Sequence, residues 1–215
     1  MAAKPKSRQP AAPQTKKLPI LWILAGVVGI ALVVAIAISI AGSESKQNVA
    51  VEVGSPNISG ALPAFAAGGA DAAIGSPIPE VSGTNFDGEA VAIGPGQGPG
   101  GIVFLAHWCG HCQTEVPAIQ AWLDGGATPA APIHSVATSI DELRPNYPPW
   151  SWLDREGWTS PVLVDDATGS VMRGFGGSAF PYWVFFDSDG NVVARAEGAQ
   201  GVDTVAALLE LAATS

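Results

Sequence analysis

Cys109 and Cys112 are the only two cysteines in the chain, held two residues apart within Phe104–Pro117, FLAHWCGHCQTEVP. A cysteine pair where an apolar run turns into a helix is a redox-motif context. Cys109 sits at that turn, where helix N-terminal amides favour a thiolate. His111, when protonated, adds a second positive influence. Attack by Cys109 on a partner disulfide makes a mixed disulfide, and Cys112, one turn along, resolves it. Two other uses of the pair are weaker. A structural disulfide across two residues constrains the unfolded chain little, because stabilisation grows with loop length. Zinc wants four ligands, and only His107, His111 and His134 could join the cysteines, so no metal is expected. Glu115 lies three residues past Cys112, on the same side of a helix. It is either a proton acceptor or donor near Cys112 or a solvated helix carboxylate.

Several elements must hold these residues. Ile102–Ala106 is apolar throughout, which predicts a central strand buried on both faces. Residues 110–123 place Val116, Ile119, Ala121, Trp122 and Leu123 at helical spacing, with Pro117 expected to kink the helix. Ile133–Thr138 reads as the next strand. Pro145, Pro148 and Pro149 forbid one helix across 141–160 and leave a short one near 150–156. Trp150, Trp152 and Trp158 are packing residues of that insert, or else a substrate groove. Pro161–Asp165 is a strand and Gly169–Phe175 a short helix. Tyr182–Asp187 and Asn191–Glu197 flank Ser188-Asp189-Gly190, a hairpin signal. Val202–Leu211 is an amphipathic helix with Val205, Leu208, Leu209 and Leu211 as its apolar set. Upstream, Val81 and Ala90–Ile93 flank a hairpin turning at Asp87-Gly88. Gly94–Gly101, GPGQGPGG, lacks the Lys-Ser/Thr ending of a phosphate loop. The order calls for an α/β fold, a mixed sheet with helices on both faces.

The charge pattern divides the chain. Lys4, Lys6, Arg8, Lys16 and Lys17 are half of its ten basic residues and precede any acidic one. From Gly42 onward five basic residues face 19 acidic ones, which disfavours nucleic acid as a partner. Residues 1–17 are expected to be a disordered cytoplasmic tail. Leu18–Ala41 carries no charge. As a helix it is long enough, at about 1.5 Å per residue, to span a bilayer core of roughly 30 Å. A signal peptide has a shorter apolar region of about 7–15 residues, so the run favours an uncleaved transmembrane anchor. The basic flank keeps the N-terminus cytoplasmic and leaves the rest extracytoplasmic, where disulfides persist. Residues 42–73, rich in Ala, Gly, Ser and Pro, read as a linker with short ordered pieces such as Leu62–Phe65. The folded domain is expected over 74–215.

A strand, W-C-x-x-C, a helix, then X-Pro, a hairpin and a last helix resemble the thioredoxin fold. The nearer resemblance is to the TlpA/ResA-like membrane-anchored thiol-disulfide oxidoreductases. CGHCQTEVP matches in its CxxC, its Glu three residues on and its Pro two beyond. Phe180-Pro181 matches the position of the family's cis-proline, and an N-terminal anchor precedes the active strand. The resemblance implies Cys109 as attacking and Cys112 as resolving cysteine, with Glu115 handling protons. It implies that cis-Pro181 presents the Phe180 backbone to a substrate, and that Trp108, Gly110 and His111 tune the pair. The sequence departs where thioredoxins carry a buried Asp, since Val103 stands there, and in the insert 141–160. The implied protein is an extracytoplasmic thiol-disulfide oxidoreductase held at the membrane. It would use no organic cofactor, act on protein thiols or disulfides, and exchange electrons with a membrane or extracytoplasmic redox partner. Oxidase, reductase and isomerase directions stay open. A non-catalytic binding module with a locked disulfide and a thiol peroxidase are the alternatives.

Overall fold

The structure is a computed structural model and describes residues 53–215. The basic tail, the run Leu18–Ala41 and the first part of the expected linker lie outside the described residues. Among the described residues no helix is long and apolar enough to cross a membrane.

Among the described residues eight strands and four helices follow one another. The first are β1 (Asn57–Ser59), β2 (Glu80–Thr84), β3 (Ala90–Ile93), β4 (Gly100–Leu105), α1 (Gly110–Asp124) and β5 (Ile133–Ala137). Then come α2 (Pro149–Arg155), β6 (Val162–Val164), α3 (Ser170–Gly174), β7 (Tyr182–Phe186), β8 (Val192–Glu197) and α4 (Val202–Thr214). Strands β1, β2 and β3 form a small antiparallel sheet. The main sheet runs β6-β5-β4-β7-β8, parallel through β6-β5-β4 and antiparallel through β4-β7-β8. This is the mixed sheet expected, with β4 central and buried at all six positions.

The period of two along β4 and β7 divides the core. Ile102, Phe104, Tyr182, Val184 and Phe186 face one side, where they meet Val171, Met172 and Phe175 of the α3 region. Val103, Leu105, Trp183 and Phe185 face the other, against Val116 and Ile119 of α1 and Val205 and Leu209 of α4. Each such side chain removed from water contributes about 1.5–3 kcal/mol, so a central strand buried on both faces anchors the whole layer arrangement. Helix α4 differs from expectation at one position. Leu211 is 43% exposed and Ala212 is fully buried, because the helix continues to Thr214 and turns Ala212 onto the Leu209 face.

Both hairpins form where expected. Asn85 Oδ1 accepts the Asp87 and Glu89 amides, closing the β2–β3 turn. Asp187 Oδ1 accepts the Asp189 and Asn191 amides, closing β7–β8.

The linker expectation for 42–73 needs correction over its described part. The packed chain begins well before Ile74. β1 pairs with β2, Leu62 and Ala73 are buried in the α3-side core, and Phe65 packs on Tyr182. The Leu62 and Phe65 amides donate to the carbonyls of Gly174 and Gly176. Arg195 locks this strap. Its guanidinium donates to both Asp71 carboxylate oxygens, and to the carbonyls of Pro63 (2.8 Å) and Phe175 (3.2 Å). The strap's small and proline residues conceal its burial, since a few side chains and one ion pair dock it.

Candidate active site

Strand β4 ends at Leu105 and the chain turns through Ala106–Trp108 into α1. Cys109 is the N-cap of α1, extended at φ −78° and ψ 121°. Its amide donates to the Ala106 carbonyl, and it is partly exposed. Cys112 lies within the first turn and is fully buried among the residues of the α1–α4 core. Both are free cysteines. The pair is therefore asymmetric, with one thiol at the surface and the other beneath it. Burial pushes the Cys112 thiol far above the usual range, and the neighbouring Cys109 and Glu115 add to that rise. Cys112 is thus held as the protonated thiol beneath Cys109.

The Phe180-Pro181 bond is cis and brings the start of β7 to the pair. The Cys109 thiol donates to the Phe180 carbonyl at 3.6 Å. Gly110 and His111 are exposed on the first turn of α1. A Cβ on Gly110 would meet nothing within 4 Å, so space alone does not demand glycine there.

Trp108 is half-buried and held from three sides. Its indole N–H donates to the Ser139 carbonyl at 2.8 Å. Its ring meets Phe180 edge-on at 5.7 Å, and the Arg144 guanidinium lies 4.3 Å from its centroid. The insert thus closes over one side of the pair. Trp152 is buried, and the Trp158 indole N–H donates to Ser135 Oγ, which fits the packing role expected of the insert tryptophans. A second cis bond, Tyr147-Pro148, stands at the start of α2, where the sequence carries no signal for it.

Glu115 is not a solvated carboxylate. It is 3% exposed. Oε1 accepts the amides of Gln200 (2.6 Å) and Gly201 (3.0 Å), and Oε2 accepts the Trp183 indole N–H at 3.0 Å. Three N–H donors compensate a carboxylate that burial alone would make very costly. The donors come from β7 and from the chain entering α4, so Glu115 ties α1 to both. Val103 pairs with Trp183 across β4 and β7, so the acid expected by analogy with thioredoxins is absent there. Glu115 is the buried acid close enough to raise the Cys112 thiol.

Three contributors escape a reading of the sequence: Trp183 and the Gln200–Gly201 amides around Glu115, and Arg144 over Trp108. An indole five residues from a hairpin turn carries no signal that distinguishes a hydrogen-bond donor from a core residue. His107 is buried, and its ring reaches Pro145 and Asp141. Among the described residues no cluster of three or more His, Cys, Asp or Glu could hold a metal ion.

No family model matches the chain, and no curated protein does. Solved structures do resemble it. A candidate thiol:disulfide interchange protein DsbE from Chlorobium tepidum is 20% identical, with 66% of this chain and 98% of that one covered at a TM-score of 0.53. A thioredoxin-family thiol:disulfide interchange protein from Chlorobium tepidum TLS is 22% identical, covering 67% and 99% at 0.51. A thiol:disulfide interchange protein from Bacteroides sp. is 20% identical, covering 65% and 90% at 0.50. The fold is thioredoxin-like.

Proposed function

We propose that the chain is a membrane-anchored, extracytoplasmic thiol-disulfide oxidoreductase that exchanges disulfides with protein cysteines through Cys109-Gly110-His111-Cys112. The asymmetry of the pair carries this reading. Cys109 is open to a partner at a helix N-terminus beside the Phe180 carbonyl, and Cys112 waits buried and protonated behind it.

The exchange balances as follows. The Cys109 thiolate attacks one sulfur of a partner disulfide, and the other sulfur leaves with the bonding electron pair. Cys112 then gives up its proton and attacks Cys109 Sγ, which expels the second partner sulfur. The partner gains two electrons and two protons, and the chain is left with the Cys109–Cys112 disulfide. Reversed, the same steps oxidise a dithiol. A second redox protein resets the pair, and no organic cofactor is required. Glu115 acts on Cys112 through its charge, and Trp108 and cis-Pro181 shape the approach to Cys109.

The anchor rests on the uncharged run Leu18–Ala41 and the basic residues before it. Positive residues stay on the cytoplasmic side, which puts the cysteine pair on the other.

Glutathione titration of the full-length chain in detergent, with thiol trapping, tests the chemistry. A reversible two-electron couple is expected, and Cys112→Ala should accumulate mixed disulfides that Cys109→Ala does not. Failure to cycle in any glutathione ratio, together with no trapped partner, would sink the reading. A reporter at the C-terminus that is active only in the cytoplasm would refute the topology.

A further inference from the structure

Residue 107 precedes the Trp-Cys pair directly, and its surroundings are unusual for a core histidine. The Asp141 amide donates to Nε2 at 3.2 Å. Nε2 is therefore the unprotonated nitrogen, and Nδ1 carries the hydrogen that it donates to the Pro145 carbonyl at 2.7 Å. The His107 carbonyl accepts the side-chain amides of Gln113 at 3.0 Å and Asn146 at 3.3 Å. The ring of Tyr147 meets the imidazole edge-on at 6.1 Å. One residue thus joins the turn before Cys109 to a loop 34 to 39 positions further on.

That loop is the one that carries Ser139 and Arg144 to Trp108. Trp108 abuts Phe180, whose carbonyl receives the Cys109 thiol. Contacts therefore run without a gap from the imidazole to the reactive sulfur.

We propose that His107 is a positioning residue for the cysteine pair: its neutral ring pins the 139–147 loop against Trp108 beside Cys109, and proton uptake frees that loop. The proposal rests on the redox reading of the pair and names what sets access to it. A protonated ring carries hydrogen on both nitrogens, so Nε2–H would face the Asp141 N–H, donor against donor. Two charged groups face the ring from the insert, the Asp141 carboxylate and the Arg144 guanidinium, and they act in opposite senses. Tyr147 faces it with an aromatic edge, and α1 offers only the neutral Gln113 amide. Burial is the largest influence and holds the imidazole below its ordinary value of 6.5. The loop is therefore pinned at neutral pH and released as pH falls through that lowered value.

The test measures alkylation of Cys109 by iodoacetamide in the full-length reduced chain in detergent, from pH 5 to 8, with peptide mapping to confirm the site. Cys112 is buried and stays unlabelled in the folded protein. His107→Phe keeps an aromatic ring and loses both hydrogen bonds. At pH 7.5 it should label about fivefold faster than the unaltered chain, the equivalent of one net hydrogen bond of ~1 kcal/mol. The ratio should fall towards one at the acid end of the range, as the unaltered ring takes up its proton. His107→Asn keeps a donor for the Pro145 carbonyl and cannot titrate. It gives up only the Asp141 bond, so at pH 7.5 it should label faster than the unaltered chain by less than His107→Phe does, and at the acid end more slowly than the unaltered chain. A merely structural histidine would give ratios independent of pH, and that result overturns the proposal. Should His107→Phe not fold, a pH-independent ratio for His107→Asn overturns it alone. Glutathione cycling of the unaltered chain is measured alongside. Loss of cycling with pH-dependent labelling ratios would reject the redox reading and leave the positioning role standing.

Discussion

Glu115→Gln changes one oxygen to an N–H2 group and nothing else in shape, so it isolates what the buried carboxylate does. Both Glu115 oxygens accept N–H donors, two on Oε1 and one on Oε2. Either orientation of the new amide sets a donor against a donor. The milder one turns the N–H2 towards the Trp183 indole and leaves that buried N–H unpaired. A charge-assisted bond is worth about 1.5–3 kcal/mol, and an unsatisfied buried donor costs about 1–3, with overlap between them. The expected destabilisation is thus about 2–4 kcal/mol. For a fold of this size that lowers the melting temperature by roughly 5–15 °C. A double-mutant cycle with Trp183→Phe isolates the pair, because the second change removes the N–H that the glutamine amide cannot accept. Trp183→Phe should cost less when combined with Glu115→Gln than alone. Losing the charge also removes one of the influences that raise the Cys112 thiol, after burial and alongside Cys109. The Cys112 titration, followed by the 13C shift of its Cβ, should move down and remain above the ordinary thiol range. A loss below about 1 kcal/mol, too small for a buried charge-assisted bond, or an unmoved Cys112 titration would refute this account of Glu115.

Two further outcomes concern the strap. Asp71→Asn leaves the fully buried Arg195 side chain without its counter-charge. Breaking a buried pair costs about 3–5 kcal/mol, and the 14% exposure of Asp71 points to the lower end. Arg195 holds the Asp71 carboxyl below its ordinary value of 3.8. Its stabilisation is therefore present above that value and lost as pH falls through the lowered one. The gap in urea stability between the unaltered chain and Asp71→Asn should close in that acid window. Gly176→Ala strains a backbone at φ +82° and puts a Cβ 2.3 Å from the Pro63 carbonyl oxygen. It should cost more than about 1 kcal/mol and deprotect the Leu62 and Phe65 amides in hydrogen exchange.

What the sequence discloses depends on how far apart the cooperating residues lie. The strand at Ile102–Ala106, the pair itself and the two Asp-Gly hairpins depend on neighbours within a few residues, and composition and spacing reveal them. The cis bond before Pro181 is legible only through family resemblance. The strap is hidden because Asp71 and Arg195 are 124 positions apart, and each alone looks like a surface charge. Spacing puts Glu115 on the right helix side, yet its donors lie 68 to 86 positions away, so its burial leaves no local trace. Leu211 reads as core because its hydrophobicity outweighs that of Ala212, whereas helix phase decides which of them turns inward.

The arrangement of one reachable and one enclosed thiol, in a chain with no others, has a consequence for assembly. Four cysteines permit three intramolecular pairings, but two permit one. Any self-made disulfide is therefore the correct one. The chain can mature under oxidising conditions with nothing to unscramble, and every other disulfide it enters must join it to a second molecule. Since Cys112 is enclosed, that junction forms at Cys109. Under the proposed exchange, a bond to a foreign chain marks a substrate or the resetting redox protein caught in mid-exchange, so covalent adducts on Cys109 would be a record of both.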